Sequence, residues 1–332
     1  MHLADRLDLP EPYEARPYRG ANDHAAMVAI LIAAREHAGD AERPTVEQFD
    51  ASYAHLTGCD PARDIAIVEV DGEPVAYSRA SYSDTTDGRR DCVSFSPTSP
   101  GHLARALFDA LGVGQEQHMQ HWVDEVDRAR FVAFAAHPGP DEPATGEAAW
   151  LETRGYEAVE WGANLVRPHL DDIADRPLPD GVDVRPVAPD QVRSILEAHW
   201  ECFRGEWDFH EATPEDIDRA MADPLMDPSL WKIAWADDQV VGQVKTYINH
   251  EENESRGSLR GYTEEISVHR DWRNHGIAGA LLAMSLRELH GRGMIEAALG
   301  VDTNNPGGAF HLYTGLGFVL QRYEAVYAKP AT

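Results

Sequence analysis

The sequence carries the same series of elements twice, and this repetition constrains the fold more than any other feature. In each half, a short β-prone run ends in Arg-Pro and leads into a helical segment, at Arg16-Pro17 and again at Arg185-Pro186. A hairpin follows in both halves, with the turn Asp71-Gly72 in the first and Asp237-Asp238 in the second. Asp-Gly between alternating apolar runs is a strong hairpin signal, and Asp-Asp is a weaker one. Shared order indicates a tandem duplication.

A third landmark supports the duplication. Each half closes on a helix that ends at Gly-aromatic and runs into a last strand, at 148–168 and at 309–330. Three ordered landmarks at a nearly constant separation favour duplication over two unrelated α/β domains. The segment 169–183 is rich in Pro, Asp and Gly and has no apolar period, as expected of a linker. The sequence therefore predicts a first domain, a linker and a second domain, over 1–168, 169–180 and 181–332.

Composition excludes several classes of partner. The 332 residues carry 29 Lys+Arg against 57 Asp+Glu, a formal net charge of −28, and 43% of them are hydrophobic. This is a globular composition, but a chain so acidic repels phosphate backbones and anionic lipids. We therefore expect no nucleic acid and no membrane surface as a partner. A small cationic molecule would be attracted instead.

The cysteines indicate a reducing compartment. Cys59, Cys92 and Cys202 are odd in number and far apart, with no CxxC pair or Cys/His cluster. We expect buried, reduced thiols and no metal site. We also identify no secretory signal and no apolar run near the roughly 18 residues of a membrane span. The sequence thus predicts a cytoplasmic protein, either a monomer or a homodimer.

The segment 264–280 has the pattern of an anion-binding loop. A β-prone run, Ile266-Ser267-Val268, leads through a loop into an amphipathic helix. The small residues Gly276, Ala278 and Gly279 let a ligand approach the backbone. Unpaired N–H groups and the positive end of the helix would favour a pyrophosphate there. Neither the Lys-[Ser/Thr] of a Walker A loop nor the GxGxxG spacing is present.

Two motifs in this half resemble those of a known family. The loop Arg273-x-x-Gly276-x-Ala278 after a strand is similar to the [Gln/Arg]-x-x-Gly-x-[Gly/Ala] acetyl-CoA loop of the GCN5-related N-acetyltransferases, or GNAT family. A later segment, with Asn305, Ala309, Tyr313 and Gly317-Phe318, is similar to the family's Asn…Ala…Tyr-x-x-x-Gly-Phe motif.

The resemblance covers about 180–330 directly, and 12–168 through the internal repeat. It implies an α/β (α+β) fold of two tandem GNAT-like domains, each with a mixed, mostly antiparallel central sheet flanked by helices.

The resemblance also implies roles for individual residues. Ile266, Ser267 and Val268 would pair their backbone with the pantetheine arm of acetyl-CoA, and the backbone from Arg273 to Gly279 would hold the pyrophosphate. Asn305 would contact the pantetheine, although its spacing to the tyrosine is one residue longer than usual. Tyr313 would protonate the departing CoA thiolate, a role that suits a nearby phenol. The predicted cofactor-binding residues are Ile266, Ser267, Val268, Arg273, Asn274, His275, Gly276, Ile277, Ala278, Gly279, Asn305 and Tyr313.

The general base stays open between two carboxylates. An attacking amine must lose a proton, and Glu264 and Glu265 precede the pantetheine-facing strand. Their side chains are expected on opposite faces, so at most one faces the acceptor; either could instead be a solvated strand end. The acids and aromatics of 206–209 would suit an amine with an apolar body, or form an ordinary surface: Glu206, Trp207, Asp208 and Phe209.

The first half lacks these groups. Leu151 stands where the second half has Tyr313, and the stretch after Cys92 has no Gly-rich loop. Pro97 and Pro100 withhold N–H donors that a phosphate would need. We predict a degenerate first domain that completes the fold and walls the acceptor pocket, similar to tandem members of the family with one active half.

The sequence therefore predicts an acetyl-CoA-dependent N-acetyltransferase. Its second domain would transfer an acetyl group directly to an amine, a small cationic one, without a metal. Two alternatives stay open: a CoA-binding sensor or scaffold without turnover, and an enzyme that acetylates a protein N-terminus or a lysine.

Overall fold

The computed structural model describes residues 1–40, 42–204, 211–303 and 309–331. Packing of the backbone divides the chain into two compact units. Unit 1 comprises Met1–Trp161 and Arg322–Thr332, and unit 2 comprises Gly162–Gln321.

Unit 1 is a mixed sheet flanked by helices. Its strands are β1 (Glu14–Pro17), β2 (Ile65–Val70), β3 (Glu73–Asp84), β4 (Arg90–Phe95), β5 (Ala129–His137) and most of β12 (Val319–Pro330). Its helices are α1 (His24–His37), α2 (Val46–Tyr53), α3 (Pro61–Asp64), α4 (Arg105–Val123) and α5 (Gly146–Thr153). The strand order is β1-β2-β3-β4-β5-β12, antiparallel except for the parallel pair β4 and β5.

Unit 2 repeats this plan. Its strands are β7 (Asp183–Val184), β8 (Lys232–Ala236), β9 (Gln239–Tyr247), β10 (Arg260–Val268), β11 (Glu296–Asp302) and the second part of β6 (Glu157–Arg167). Its helices are α6 (Val192–Phe203), α7 (Pro214–Met221), α8 (His250–Arg256), α9 (Ile277–Gly291) and α10 (Ala309–Thr314). The order is β7-β8-β9-β10-β11-β6, and again only one pair, β10 and β11, is parallel among the described strands.

The predicted repeat is confirmed in the details of the hairpins. Asp71 and Asp237, the first turn residues, both have a left-handed backbone, with φ of 53° and 52°. Each hairpin also has a register shift at the same place, after Val68 in unit 1 and after Ala234 in unit 2. β-Bulges are inherited features of a fold rather than defects, so the shared shift supports a common origin.

The closing strands of the two repeats are exchanged. β6 ends the first half of the sequence, yet Gly162–Arg167 pair with β11 of unit 2. β12 ends the second half, yet Tyr323–Pro330 pair with β5 of unit 1. The compact units therefore do not coincide with the predicted boundaries at 1–168 and 181–332. Both closing strands follow the same Gly-aromatic signal, and the choice of a distant partner leaves no mark in a local pattern.

Apolar side chains of the helices are buried against the sheets. In unit 2, α6 and α7 cover one face with Ile195, Leu196 and Ile217. The apolar stripe of α9 is buried throughout, at positions that include Leu281, Leu282, Leu286 and Leu289. Helical periodicity in the sequence corresponds to this packing.

The structure also bears on the cysteines, on metal binding and on membrane spans. Cys92 and Cys202 are buried free thiols, and Cys59 is a half-buried one. Across the ranges that the structure covers, no three His, Cys, Asp or Glu side chains converge in a way that could hold a metal ion. None of the helices in those ranges is both long enough and apolar enough to cross a membrane.

Candidate active site in unit 2

Strands β10 and β11 separate along their length. They pair from Arg260 opposite Glu296 to Tyr262 opposite Ala298, although β10 continues to Val268 and β11 to Asp302. Within the described part of unit 2, β10 beyond Tyr262 has no backbone pairing with β11. An unpaired strand edge offers N–H and C=O groups to an extended ligand. The three residues predicted to hold the pantetheine arm lie on this stretch.

A β-bulge interrupts β10 just before them. Glu264 lies opposite Lys245 of β9 and Ser267 lies opposite Gln243, so β10 has one residue more than its partner. Glu265, inside the bulge, has a left-handed backbone with φ of 47°, a conformation that is uncommon outside glycine. Bulges redirect side chains and are frequent beside active sites.

Glu264 points into the gap between the two strands. Its carboxylate accepts a hydrogen bond from the Gly300 N–H of β11 at 3.1 Å. Tyr313 of α10 is buried, with 5% of its surface exposed. Burial raises the pKa of Tyr313 to about 12, and the negative charge of Glu264 adds to the rise. The phenol is therefore protonated at neutral pH, as a proton donor must be.

Glu265 makes contacts on β9 and α6 instead. Its carboxylate contacts the ammonium of Lys245, and one carboxylate oxygen is 4.0 Å from Nε2 of His199 on α6. The Lys245 side chain is 7% exposed, whereas that of Glu265 is 45% exposed. The bulge thus separates the two predicted acids, one beside Tyr313 and one beside Lys245.

Burial shifts the titration of the two basic groups. It lowers the pKa of Lys245 to about 7, whereas contact with a carboxylate generally favours the charged form of a lysine. Burial, and then the charge of Lys245, lowers the pKa of His199 to about 3, so that its imidazole is neutral. His199 Nδ1 lies 3.2 Å from Ser267 Oγ, and Gln243 Nε2 donates to the same oxygen at 3.2 Å.

The sequence analysis missed Lys245 and His199. A signal for Lys245 was present, because the chain has only three lysines and this one lies within a strand of mostly uncharged residues. For His199 no local signal existed, since its contact with the bulge joins a helix to a strand more than sixty residues away.

The loop before α9 has the geometry of an anion site. Asn274 and Gly276 have left-handed backbones, with φ of 65° and 81°. Gly276 is the N-cap of α9, no side chain caps the helix, and a Cβ at Gly276 would meet nothing within 4 Å. The N–H groups of Ile277, Ala278 and Gly279 belong to the first turn, where a helix has no intrahelical acceptor to offer. Left-handed turns and an uncapped helix start together form an anion-binding concavity.

The side chains of the loop contribute less than its backbone. Arg273 donates to the carbonyls of Val268 and Cys202 at 3.3 and 2.6 Å, which fastens the loop to β10 and α6. Nδ1 of His275 lies 2.8 Å from the Arg273 carbonyl in an exposed position. The Ile277 side chain is buried, which leaves its N–H as the group available to a ligand.

Other predicted residues lie outside the described part of the chain. These are Asn305, predicted to contact the pantetheine, and the possible acceptor wall, Glu206, Trp207, Asp208 and Phe209.

A linker residue adds a positive charge beside the loop. Arg176 has Nη1 3.1 Å from the point where a Cβ of Gly279 would lie, and its Nη2 donates to the Gly315 carbonyl at 3.1 Å. Arg287 of α9 holds the preceding linker residues through the Ala174 carbonyl, at 3.0 Å. A linker without apolar period gives no sequence signal for such a position.

Unit 1 differs at the corresponding places. Leu151 of α5, aligned with Tyr313, is buried in the apolar core. After β4 the chain continues along β3, where Tyr77 N–H donates to the Pro97 carbonyl and Ser99 N–H to the Val75 carbonyl. Those bonds hold the segment against the sheet, so it does not form a loop around a ligand.

Comparisons with known proteins agree with this geometry. The model of a family described as "Acetyltransferase (GNAT) family" matches residues 192–318, which include the α9 loop and Tyr313. Over these residues the chain matches the GNAT family, and the protein is an N-acetyltransferase built from two GNAT-like units in tandem.

Two relatives match most of the chain. The mycothiol acetyltransferase of Streptomyces coelicolor is 29% identical over 260 residues, which cover 77% of this chain and 76% of that protein. The one of Geodermatophilus obscurus is 26% identical over 309 residues, 92% of this chain and 94% of that protein.

Solved structures share the fold. A GCN5-related N-acetyltransferase from Sphaerobacter thermophilus has a TM-score of 0.70 at 22% identity, covering 97% of both chains. A tandem GNAT protein from the clavulanic acid biosynthesis pathway has a TM-score of 0.66 at 16% identity, covering 96% of this chain and 99% of that one.

Proposed function

We propose that unit 2 binds acetyl-CoA at the opening between β10 and β11 and transfers its acetyl group to an amine. The observation that carries this proposal is the presence of three features in unit 2: a stretch of β10 that no longer pairs with β11, a helix start without a side-chain cap and a protonated phenol. The edge at Ile266–Val268 pairs with the pantetheine arm. The amides from Asn274 to Gly279 bind the pyrophosphate, and Arg176 adds a positive charge beside them.

Tyr313 acts as the general acid. Attack of an amine on the thioester carbon gives a tetrahedral intermediate, and its collapse breaks the C–S bond and leaves a thiolate. The Tyr313 hydroxyl donates its proton to that sulfur. Glu264 supports this role, because its negative charge keeps the phenol protonated until the thiolate forms.

Glu265, rather than Glu264, is the carboxylate that binds the acceptor amine. Its side chain is half exposed, whereas Glu264 is held in the strand gap by Gly300. The acceptor arrives as an ammonium, attracted by a chain of net charge −28, and forms an ion pair with the Glu265 carboxylate. This favours a small cationic amine.

The relatives suggest the first acceptor to assay. They are named mycothiol acetyltransferases, so the amine that those enzymes acetylate heads the list. We propose that the enzyme acts in the cytoplasm as a monomer or a homodimer.

Calorimetric titration of the full-length protein with acetyl-CoA tests the binding step. We expect one site per chain; two sites would contradict a degenerate unit 1, and no binding would overturn the proposal. Initial rates are then measured with three acceptors: the amine that the mycothiol acetyltransferases acetylate, glucosamine, and a peptide that has a free N-terminus and a lysine. Turnover of a small amine supports the proposal. Turnover of the peptide alone indicates a protein acetyltransferase, and binding without any turnover indicates a CoA-binding scaffold.

A further inference from the structure

Lys245 differs from the other two lysines in its surroundings. Lys232 and Lys329 form ion pairs with Glu288 and Glu116 at 3.1 and 2.9 Å, and both are partly exposed. The Lys245 side chain is almost fully buried, with Nζ 5.5 Å from the centre of the Trp231 ring. A buried ammonium is costly unless it is paired, and lysine, unlike arginine, can respond to burial by losing its proton.

Glu265 connects this buried amine to the acceptor. Its carboxylate contacts Lys245, and 45% of its side chain is exposed, against 7% for Lys245. An ammonium that binds Glu265 from solvent would therefore compete with Lys245 for one carboxylate. Of the two cations, the buried one is less well solvated, so it is the one that loses its proton.

The other described groups near the pair do not offer a second proton-exchanging cation in place of Lys245. His199 faces it from α6 and is a neutral imidazole. Glu264, the adjacent acid of β10, accepts a hydrogen bond from β11 instead, and Trp231, next to β8, does not titrate. On the opposite face of β9, Gly242 packs against Ile277 of α9.

We propose that Glu265 and Lys245 form a coupled proton-accepting pair. Glu265 binds the acceptor ammonium, Lys245 releases its own proton to solvent as that cation binds, and the neutral Lys245 amine then takes the acceptor's proton through the Glu265 carboxylate. One N–H bond of the acceptor breaks and one forms at Lys245 Nζ, which leaves a lone pair to attack the thioester. The second proton, lost as the amide forms, balances the one that Tyr313 gives to the thiolate.

This inference rests on the proposed function, but its first test needs neither acetyl-CoA nor an acceptor. Lysine labelled with ¹³C at Cε gives three resonances in the full-length protein, assigned with Lys232→Arg and Lys329→Arg. We expect Lys245 to titrate near pH 7, well below the usual range of a lysine. In Glu265→Gln it should titrate lower still, because the carboxylate that favours the ammonium is gone.

Glu264→Gln is the matched control and should change the Lys245 titration less than Glu265→Gln does, because only Glu265 contacts the ammonium. Titration of Lys245 together with the other lysines would overturn the pair, as would an unchanged titration in Glu265→Gln. The titration can therefore contradict the coupled pair without affecting the evidence for acetyl-CoA binding, and calorimetry can contradict acetyl-CoA binding without affecting the evidence for the pair.

Rates separate proton transfer from a charge effect. Lys245→Arg keeps a positive charge that cannot be given up, so we expect kcat to fall by about 100-fold across the pH range, with little change in the KM for acetyl-CoA. Lys245→Met leaves Glu265 as a single base, and the acidic limb of its kcat profile should move to lower pH. Lys232→Arg is the control. A wild-type rate and pH profile in Lys245→Arg would show that Lys245 supplies only charge.

Discussion

Units 1 and 2 have a basic residue at the same position of their third strand, with different partners. Arg79 of β3 lies opposite Phe95 of β4, and Lys245 of β9 lies opposite Glu264 of β10. The Arg79 guanidinium lies over the rings of Tyr53 and Phe95, 5.6 and 5.2 Å from their centres. Lys245 instead contacts a carboxylate in the adjoining bulge.

Under the proposed function, the difference shows how small a change separates a copy that can exchange protons at this position from one that cannot. Arginine does not give up its proton in proteins, and an aromatic ring cannot accept one. The position in unit 1 therefore stabilises packing, through cation–π contacts. In unit 2 the same position can exchange protons. Strand order and the hairpin bulge are common to both, so the scaffold is independent of the reaction.

The largest effect should come from the anion loop. Gly276→Glu places a carboxylate at the open start of α9. It also forces a glutamate into the left-handed backbone conformation of Gly276, which residues other than glycine disfavour. We expect acetyl-CoA affinity to fall by about 100-fold or more, measured by calorimetry. Gly101→Glu is the matched change in unit 1, just before α4, where a Cβ would also meet nothing within 4 Å. Equal losses in both variants would mean that both units bind acetyl-CoA.

The next effect concerns the phenol. Tyr313→Phe should lower kcat by about 100-fold and leave acetyl-CoA affinity within about twofold, because the proton is needed only as the thiolate leaves. Tyr327→Phe is the control. Tyr327 is a buried tyrosine of β12, in unit 1, whose pKa burial also raises to about 12. A rate within twofold of wild type in Tyr313→Phe would remove the general-acid role.

The smallest effect is on stability, and it has opposite signs in the two units. Arg79→Met should lower the free energy of unfolding by about 1 kcal/mol, through lost cation–π contacts. Lys245→Met should raise it by about 1 kcal/mol at pH 7 or below, because the buried ammonium is removed.

The Lys245 effect should depend on pH. Burial lowers the folded pKa of Lys245 to about 7, so between pH 7 and about 10 the unfolded chain binds more protons and wild-type stability rises with pH. Wild-type stability should rise over that window by up to about 1.4 kcal/mol per pH unit, so the gain in Lys245→Met should shrink and become a loss before pH 9, whereas the loss in Arg79→Met should stay constant. Urea unfolding at pH 7 and pH 9 measures both, and a pH-independent gain at Lys245 would contradict a shifted lysine.

Local patterns were sufficient for the parts of the molecule that local interactions build. The hairpin turns at Asp71 and Asp237 and the start of α9 at Gly276 follow from residues adjacent in sequence. The proposed acetyl-CoA loop could be predicted for the same reason, because a strand, a loop of small residues and an amphipathic helix are consecutive. The fold class followed once these elements were found twice.

Long-range pairing accounts for what the sequence did not reveal. Alternation placed Glu264 and Glu265 on opposite faces but could not show that a bulge lies between Glu264 and Ser267, since a bulge is a property of two strands. The approach of Lys245 to Glu265 depends on that register. The exchange of β6 and β12 depends on which distant edge each closing strand meets.

That exchange has a consequence for synthesis of the chain on the ribosome. The last strand of unit 1, β12, follows unit 2 in the chain, so the sheet of unit 1 stays incomplete until unit 2 has been translated. Long chains usually fold domain by domain from the N-terminus. Here unit 1 cannot complete its sheet before β12 has been translated. Until then, the edge of β5 that pairs with β12 has no partner strand, while nearly all of unit 2 is translated.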